Sequence, residues 1–249
     1  MKRLVLMLCL LVCLLSAGCG IQEKKLLELP AEQEQTKAPE GPAEQEPADS
    51  PVESESEPEA ESFIRVVDCI PDILVDLRYA TADNFTGEVI YDFTDAYLRY
   101  GTVKKLAAVQ ETLAKQGYGL MIWDAFRPVS AQFTLWDICP DGRYVANPNK
   151  GFSSHSRGNT VDVTLVMLDG GDVVMPTEFD DFSAKADRDY SDVSEEAAAN
   201  ALLLENAMTE AGFKPYSGEW WHFSDTDSYD VEENFTPEEH LESEENSYG

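Results

Sequence analysis

Hydrophobic and polar positions fall into three regimes along this chain. Leu4 to Leu15 form a continuous apolar run behind Lys2 and Arg3. Residues 20–62 show no periodicity. They hold thirteen Asp/Glu against three Lys, with recurrent Pro and Gln and no aromatic residue. From Phe63 onward, short β-branched runs alternate with helical stripes. Phe63 to Val67 and Ile73 to Tyr79 read as strands or extended entry segments. Thr102 can cap a helix running to Gly117, with Val103, Leu106, Ala107, Leu113 and Ala114 on one stripe. Tyr118 to Trp123 is short and apolar, as a buried strand is, and Arg127-Pro128 opens a second helix with Pro at its first position. Val161 to Met167 alternates as a strand, turns at Asp169-Gly170-Gly171 and returns through Val173 to Met175. Ser194 caps a long helix closed by Gly212, with Glu195 and Glu196 in its first turn and Ala201, Leu204, Met208 and Ala211 facing inward. Glu219 to Phe223 is the last β-rich run. Helices mixed with an antiparallel hairpin indicate an α+β fold rather than a doubly wound sheet.

The first regime is a leader for export: a basic start, an apolar stretch too short for a comfortable membrane span, then Ser16, Ala17 and Gly18 before Cys19. Ala17-Gly18-Cys19 resembles a bacterial lipobox, although Ser16 stands where that motif usually has Leu. The resemblance implies removal of residues 1–19 as a lipoprotein-type signal, with Cys19 lipidated as the membrane anchor; the alternative is a plain secretory signal. The second regime, residues 20–62, cannot bury enough apolar surface to offset its ordering entropy and reads as an extended acidic tether. Its 43 residues reach at most about 140 Å when fully extended. The domain then covers 63–235, and 236–249 form a disordered acidic tail.

Of the net charge of −30, the leader contributes +2, the tether −10 and the residues after Phe223 another −10, leaving −12 on residues 63–223. Nucleic acid is excluded as a partner, because binding phosphate needs clustered Lys and Arg. Cys69 and Cys139 are the cysteines left in the domain. An exported pair can form a disulfide, but no Cys-x-x-Cys pattern for metal or redox work is present.

The chemistry lies in two short segments. Ser153 to Asp162 holds His155, and Glu219-Trp220-Trp221-His222 holds another of only three histidines. Two imidazoles and one carboxylate form a three-ligand catalytic zinc set with a position left for water, and the remaining carboxylate can act as general base. The bland alternative is two ordinary half-buried histidines. Asp162 sits inside the β-branched Val161-Asp162-Val163, where a charge needs a partner or a metal. Glu219 and His222, three apart, would face opposite ways on a flat strand. Glu219 is therefore expected at the strand entry after Ser217-Gly218, or on a bulge.

Ser-x-His-x-x-x-x-x-x-Asp followed by Glu-x-Trp-His resembles the zinc D,D-peptidases that cut peptidoglycan D-Ala-D-Ala bonds, and within them the VanX-type D-alanyl-D-alanine dipeptidases. Asp76 to Gly87 (DLRYATADNFTG), Trp123 to Pro128 (WDAFRP), Ser153 to Leu165, Phe179 to Phe182 (FDDF) and Glu219 to His222 (EWWH) follow that branch in order, over roughly residues 63–223. The resemblance implies the zinc D,D-peptidase (LAS/hedgehog-like) fold, with a small central antiparallel sheet flanked by helices. It implies one zinc held by His155, Asp162 and His222, with Glu219 as general base and Arg127 stabilising the oxyanion. Asp180 would receive the ammonium of a small D,D-dipeptide, with Asp181 as its neighbour one place on. Ser153 would hold a substrate terminus or simply bond to backbone. Tyr79 is either pocket wall or core, Trp220 and Trp221 read as packing, and Arg157 and Gly158 shape the loop. Leu135 to Lys150 departs from the branch, which implies a wider mouth. Export also departs from branch members that destroy the dipeptide in the cytoplasm, so turnover of the wall or D-Ala salvage is expected rather than glycopeptide resistance. Two readings compete with the dipeptidase: a D,D-carboxypeptidase acting on longer peptidoglycan stems, and a non-enzymatic wall-binding lipoprotein.

Overall fold

In the computed structural model, residues 57–237 are described. The leader, Cys19, most of the tether and the last twelve residues lie outside them. The elements in chain order are β1 (Phe63–Arg65), α1 (Val66–Cys69), β2 (Leu74–Val75), β3 (Tyr97–Arg99), α2 (Tyr100–Ala114), β4 (Tyr118–Asp124), α3 (Val129–Ile138), β5 (Thr160–Met167), α4 (Glu195–Glu210), β6 (Phe213–Pro215) and β7 (His222–Asp225).

Five strands form one sheet in the order β2-β4-β5-β7-β6, and β1 pairs with β3 in a separate ribbon. The chain is α+β, but the expected antiparallel sheet is mixed. β4, β5, β7 and β6 are antiparallel neighbours, whereas β2 lies parallel to β4, pairing Leu74 with Met121 and Val75 with Ile122. Ile73 to Tyr79 supplies only this two-residue edge before turning into a single 3-10 turn at Arg78–Ala80.

Alternation along β5 divides the sheet into two faces. Val161, Val163 and Leu165 point into the core with Leu106, Val109 and Leu204 of the helices, while Thr160, Asp162 and Thr164 point the other way. The helices α2 and α4 pack on each other and on β4, β5 and β6. That leaves the opposite face of β4, β5 and β7 for polar side chains.

Two helix starts differ from expectation. α2 begins at Tyr100, and Thr102 lies inside it, buried, with its hydroxyl donating to Asp225 Oδ2 at 2.8 Å. A tertiary acceptor took the group that would have capped the helix. Pro128 is the residue before α3 rather than its first, a difference of one position. Ser194 does cap α4, its Oγ accepting from Ala197 N at 3.1 Å, and Gly212 follows the helix at φ +97°. Beyond β5 the turn forms as expected, Met167 N donating to Gly171 O, but only the bridge Val166–Asp172 follows and Val173 to Met175 is not a strand. Residues 57–62 lie against the start of α2: Tyr100 N donates to Ser62 O, Gly101 N to Ala60 O, and the Tyr100 hydroxyl to Glu57. Cys69 is exposed, Cys139 half-buried, and both are free thiols.

Candidate metal centre

Asp162 is the centre of a row of side chains across the polar face. On one side its strand partner is His222 of β7, and on the other it is Asp124 of β4. Directly paired residues present their side chains on the same face. Asp124 reaches this row through an irregularity: Ile122 pairs with Val163 and Asp124 with Asp162, so Trp123 is the extra residue of a bulge. In a regular ladder Trp123 would oppose Asp162, and Asp124 would face the core.

His155 arrives from the loop before β5. Ser153 opens the 3-10 turn Ser154–Arg157 with its Oγ accepting from His155 N at 3.3 Å, and Gly158 closes it at φ +71°. Glycine is required there twice over, by the left-handed backbone and because a Cβ would lie 2.4 Å from the Phe63 ring. A strap of chain following β7 braces the turn. Glu232 N donates to Ser156 O, Arg157 Nη1 to Tyr229 O, and Asn159 Nδ2 to Asp227 O. From beneath, Arg99 Nε donates to Arg157 O.

The His155 Nδ1 lies 2.9 Å from Ala125 O. A carbonyl only accepts, so this nitrogen carries the proton and Nε2 turns its lone pair to the site. Nε2 is 3.4 Å from His222 Nδ1 and 3.4 Å from Asp162 Oδ2, and His222 Nδ1 is 3.0 Å from Asp162 Oδ1. Among the described residues, buried Asp162 Oδ1 has no hydrogen-bond partner despite that approach. The three groups, one ligand atom from each, lie close enough together that they could hold a metal ion. Atoms about 2.0–2.1 Å from a tetrahedral zinc stand roughly 3.3–3.4 Å apart, close to the spacing found. Burial alone would raise the Asp162 carboxyl, but its interactions with the two imidazoles, His155 and His222, outweigh it and hold the group below the usual carboxylate range. A divalent cation between the same groups acts in the same direction.

Glu219 lies in the turn ahead of β7, not on the strand. His222 N bonds back to Glu219 O, and the turn brings Glu219 Oε2 to 3.6 Å from His222 Nδ1. The three-residue spacing thus closes as a turn at the strand entry. Burial pushes the Glu219 carboxyl up, against the pull of His222.

Arg127, 8 % exposed, is held on both sides. Its Nε donates to Asp124 Oδ2 at 2.8 Å, its Nη2 reaches the same oxygen, and its Nη1 donates to Gln132 Oε1 at 2.9 Å. Its Nη2 also lies 4.0 Å from Asp162, and the guanidinium stacks over the Tyr79 ring at 4.8 Å. Although burial works against the charge, Asp124 and its neighbours keep this guanidinium protonated more firmly than usual. Asp124 is fully buried and takes a further bond from the Tyr91 hydroxyl at 2.9 Å.

His155, Asp162, His222, Glu219 and Arg127 line one cavity of about 330 Å³, together with Ser153 and Asp180. Asp180 adopts φ +55° and accepts from the Tyr79 hydroxyl at 3.0 Å. Its neighbour Asp181 instead accepts from Ser183 N and stays out of the cavity. Burial, then the charge of Asp162, pushes the Asp180 carboxyl up to about 8. Tyr79 is therefore pocket wall and Asp180 partner at once. Trp220 and Trp221 are core, although Trp221 also borders the cavity. Sequence reasoning left Asp124, Tyr91 and Gln132 without roles. The first is the acid of Trp123-Asp124-Ala125-Phe126-Arg127-Pro128, and its place directly after the apolar run Tyr118 to Trp123 was the signal available.

The family described as D-ala-D-ala dipeptidase, within peptidase M15, matches residues 59–242. The chain is similar to the D-alanyl-D-alanine dipeptidase of Escherichia coli (strain K12), 39 % identical over 153 residues that cover 61 % of this chain and 79 % of the relative. It is 36 % identical over 168 residues to that of Enterococcus faecium, covering 59 % and 83 %. With that of Streptomyces coelicolor the identity is 37 % over 186 residues, covering 65 % and 90 %.

Proposed function

The chain belongs to the D-Ala-D-Ala dipeptidase family of M15 peptidases, and from that membership we propose that it hydrolyses free D-alanyl-D-alanine to two D-alanines at the cell envelope. The carrying observation is the convergence of His155 Nε2, His222 Nδ1 and the Asp162 carboxylate with Glu219 beside them. We read the fold as the LAS/hedgehog-like form of the zinc D,D-peptidases, with the ligands on a loop and two strands of a small sheet.

His155, Asp162 and His222 would hold zinc, whose chemistry there is to acidify water and polarise the scissile carbonyl. Glu219 takes a proton from the attacking water and passes it to the leaving amine, a task suited to a carboxyl raised by burial. Arg127 is fixed by Asp124 and Gln132 before substrate arrives. Its remaining N–H groups meet the negative charge that develops on the carbonyl oxygen at little reorganisation cost. Burial favours the protonated form of Asp180, and the arriving substrate ammonium reverses that preference, so the carboxylate forms against the ammonium with the Tyr79 hydroxyl holding its other side. Ser153 spends an oxygen lone pair on His155 N and keeps its proton to donate to the substrate.

An N-acylated dipeptide has no ammonium and leaves Asp180 buried without its cation. Such recognition discriminates by roughly 10⁴-fold where the site is dry. Product analysis on D-Ala-D-Ala beside its N-acetyl form tests the reading. Rapid release of D-Ala from the free dipeptide alone is expected, and comparable kcat/KM on both would point to a carboxypeptidase of longer stems. We further propose that the leader exports the enzyme and that lipidated Cys19 anchors it outside the membrane, where it serves wall turnover or D-Ala salvage. Two signals or chains are needed for stable anchoring, as a lipoprotein supplies. Cys19→Ser should release the protein from the membrane fraction, and undiminished retention would refute the anchor.

A further inference from the structure

A dipeptide is a zwitterion, and the cavity described above accounts for only one of its charges. Three carboxylates, Asp162, Asp180 and Glu219, border it. Among the described lining residues, the cationic side chains other than the two histidines are Arg127 and Arg143. Arg127 is committed to Asp124 and Gln132 and stands beside the ligand Asp162, the right place for charge that develops during reaction. A permanent carboxylate bound there would compete with that task.

Arg143 is placed differently. Its side chain is 74 % exposed, at the mouth. Its Nε lies 3.0 and 3.1 Å from the two Asp141 carboxylate oxygens, and its Nη2 also meets Asp141. That pairing uses the side-on edge of the guanidinium and leaves the Nη1/Nη2 edge open, a second fork matching a carboxylate. The loop is tied to the site at two points. Ala146 O accepts from Gln132 Nε2, the residue that holds Arg127. Tyr144, under the Arg143 guanidinium at 5.0 Å, stacks on Phe182 at 4.5 Å, two residues beyond Asp180.

We infer that Arg143 is a specificity-determining residue of the dipeptidase, receiving the free C-terminal carboxylate of the substrate at the cavity mouth while Asp141 holds its fork in orientation. This rests on the dipeptidase reading. The carboxylate keeps its charge through peptide-bond hydrolysis, so the contact is equally strong in ground and transition states and acts on KM rather than kcat.

The test uses the zinc-loaded full chain, wild type and the variants Arg143→Ala and Arg143→Lys, with D-Ala-D-Ala and with its C-terminal amide, which lacks the carboxylate. For the free dipeptide, Arg143→Ala should raise KM roughly 3–5-fold, the upper scale of a solvent-exposed ion pair, with kcat within about 2-fold. For the amide, wild type and variant should agree in KM. Arg143→Lys should recover part of the loss, since it keeps charge but not the fork. Equal changes on both substrates, or none on the free dipeptide, would overturn the assignment. A wild type that fails to cleave D-Ala-D-Ala would overturn the dipeptidase reading instead.

Discussion

Asp124→Asn isolates what keeps Arg127 ready. The substitution preserves shape and removes a charge at a fully buried position. In the wild type, Oδ2 accepts from Arg127 Nε and Nη2, lies 3.4 Å from His155 Nδ1, and Oδ1 accepts from Tyr91. An asparagine oxygen can keep one side of this arrangement. Its amide then faces the other, and Tyr91 can rotate its hydroxyl to accept from it. Arg127 has no such escape, because a guanidinium only donates. The nearest remaining carboxylate is Asp162 at 4.0 Å. Removing one partner of a buried ion pair costs about 3–5 kcal/mol, and the partial compensation by Asp162 places the expectation near the lower bound. For a domain of this size each kcal/mol shifts Tm by roughly 2–4 °C, so metal-free Asp124→Asn should melt about 6–12 °C below wild type. The metal-free protein is the right sample, since bound zinc would add stability by mass action. Tyr91→Phe is the control, removing a neutral bond to the same carboxylate at about 1 kcal/mol. Zinc affinity of Asp124→Asn, measured by chelator competition, should fall roughly 10–100-fold, because the charge beside Nδ1–H supports a metal-ligating His155. A metal-free variant within about 1 kcal/mol of wild type, with unchanged zinc affinity, would refute the idea that Asp124 holds this cluster.

Glu219→Gln should retain zinc and lose roughly 10²–10⁴-fold in kcat, whereas His222→Ala should lose metal and activity together; a near-wild-type rate for Glu219→Gln would remove the base assignment. Asp180 gives a pH signature in the metal-free protein. Its carboxyl, pushed up from 3.8 to about 8 by burial, binds more protons in the folded than in the unfolded state across that interval. Its contribution to stability is therefore present below about 4 and lost as pH rises through about 8. Denaturant titrations should show Asp180→Asn losing less stability than wild type between pH 5 and 9, and parallel curves would sink this account.

Some elements were legible because their causes are local. Ser194 before Glu195 and Glu196, and Gly212 after the last turn, bound α4 as the pattern required. Asp162 amid β-branched neighbours announced a strand with a charge to satisfy, and the two histidines and two acids singled out by type do meet, His155, Asp162 and His222 in one cluster with Glu219 beside it. Thr102 misled because its hydroxyl had a partner 123 positions away, Asp225, stronger in claim than its own helix end. Val173 to Met175 has strand composition, but among the described residues no neighbouring strand completes a ladder beyond Val166–Asp172.

The chain by itself thus determined the residue types of the site, the alternation that aims Asp162 away from the core, and the α+β class. Tertiary structure alone decided how those residues meet. The bulge at Trp123 turns Asp124 onto the polar face that carries Asp162. The sheet order sets β7 beside β5, so His222 opposes Asp162. The Tyr79 hydroxyl chooses Asp180 over Asp181 across 101 residues, and β2 joins β4 in parallel because its chain enters the edge in that direction. Composition and period report which face a residue prefers within its own element. Register, bulges and strand order depend on surfaces brought together from distant parts of the chain, and no local pattern carries that information.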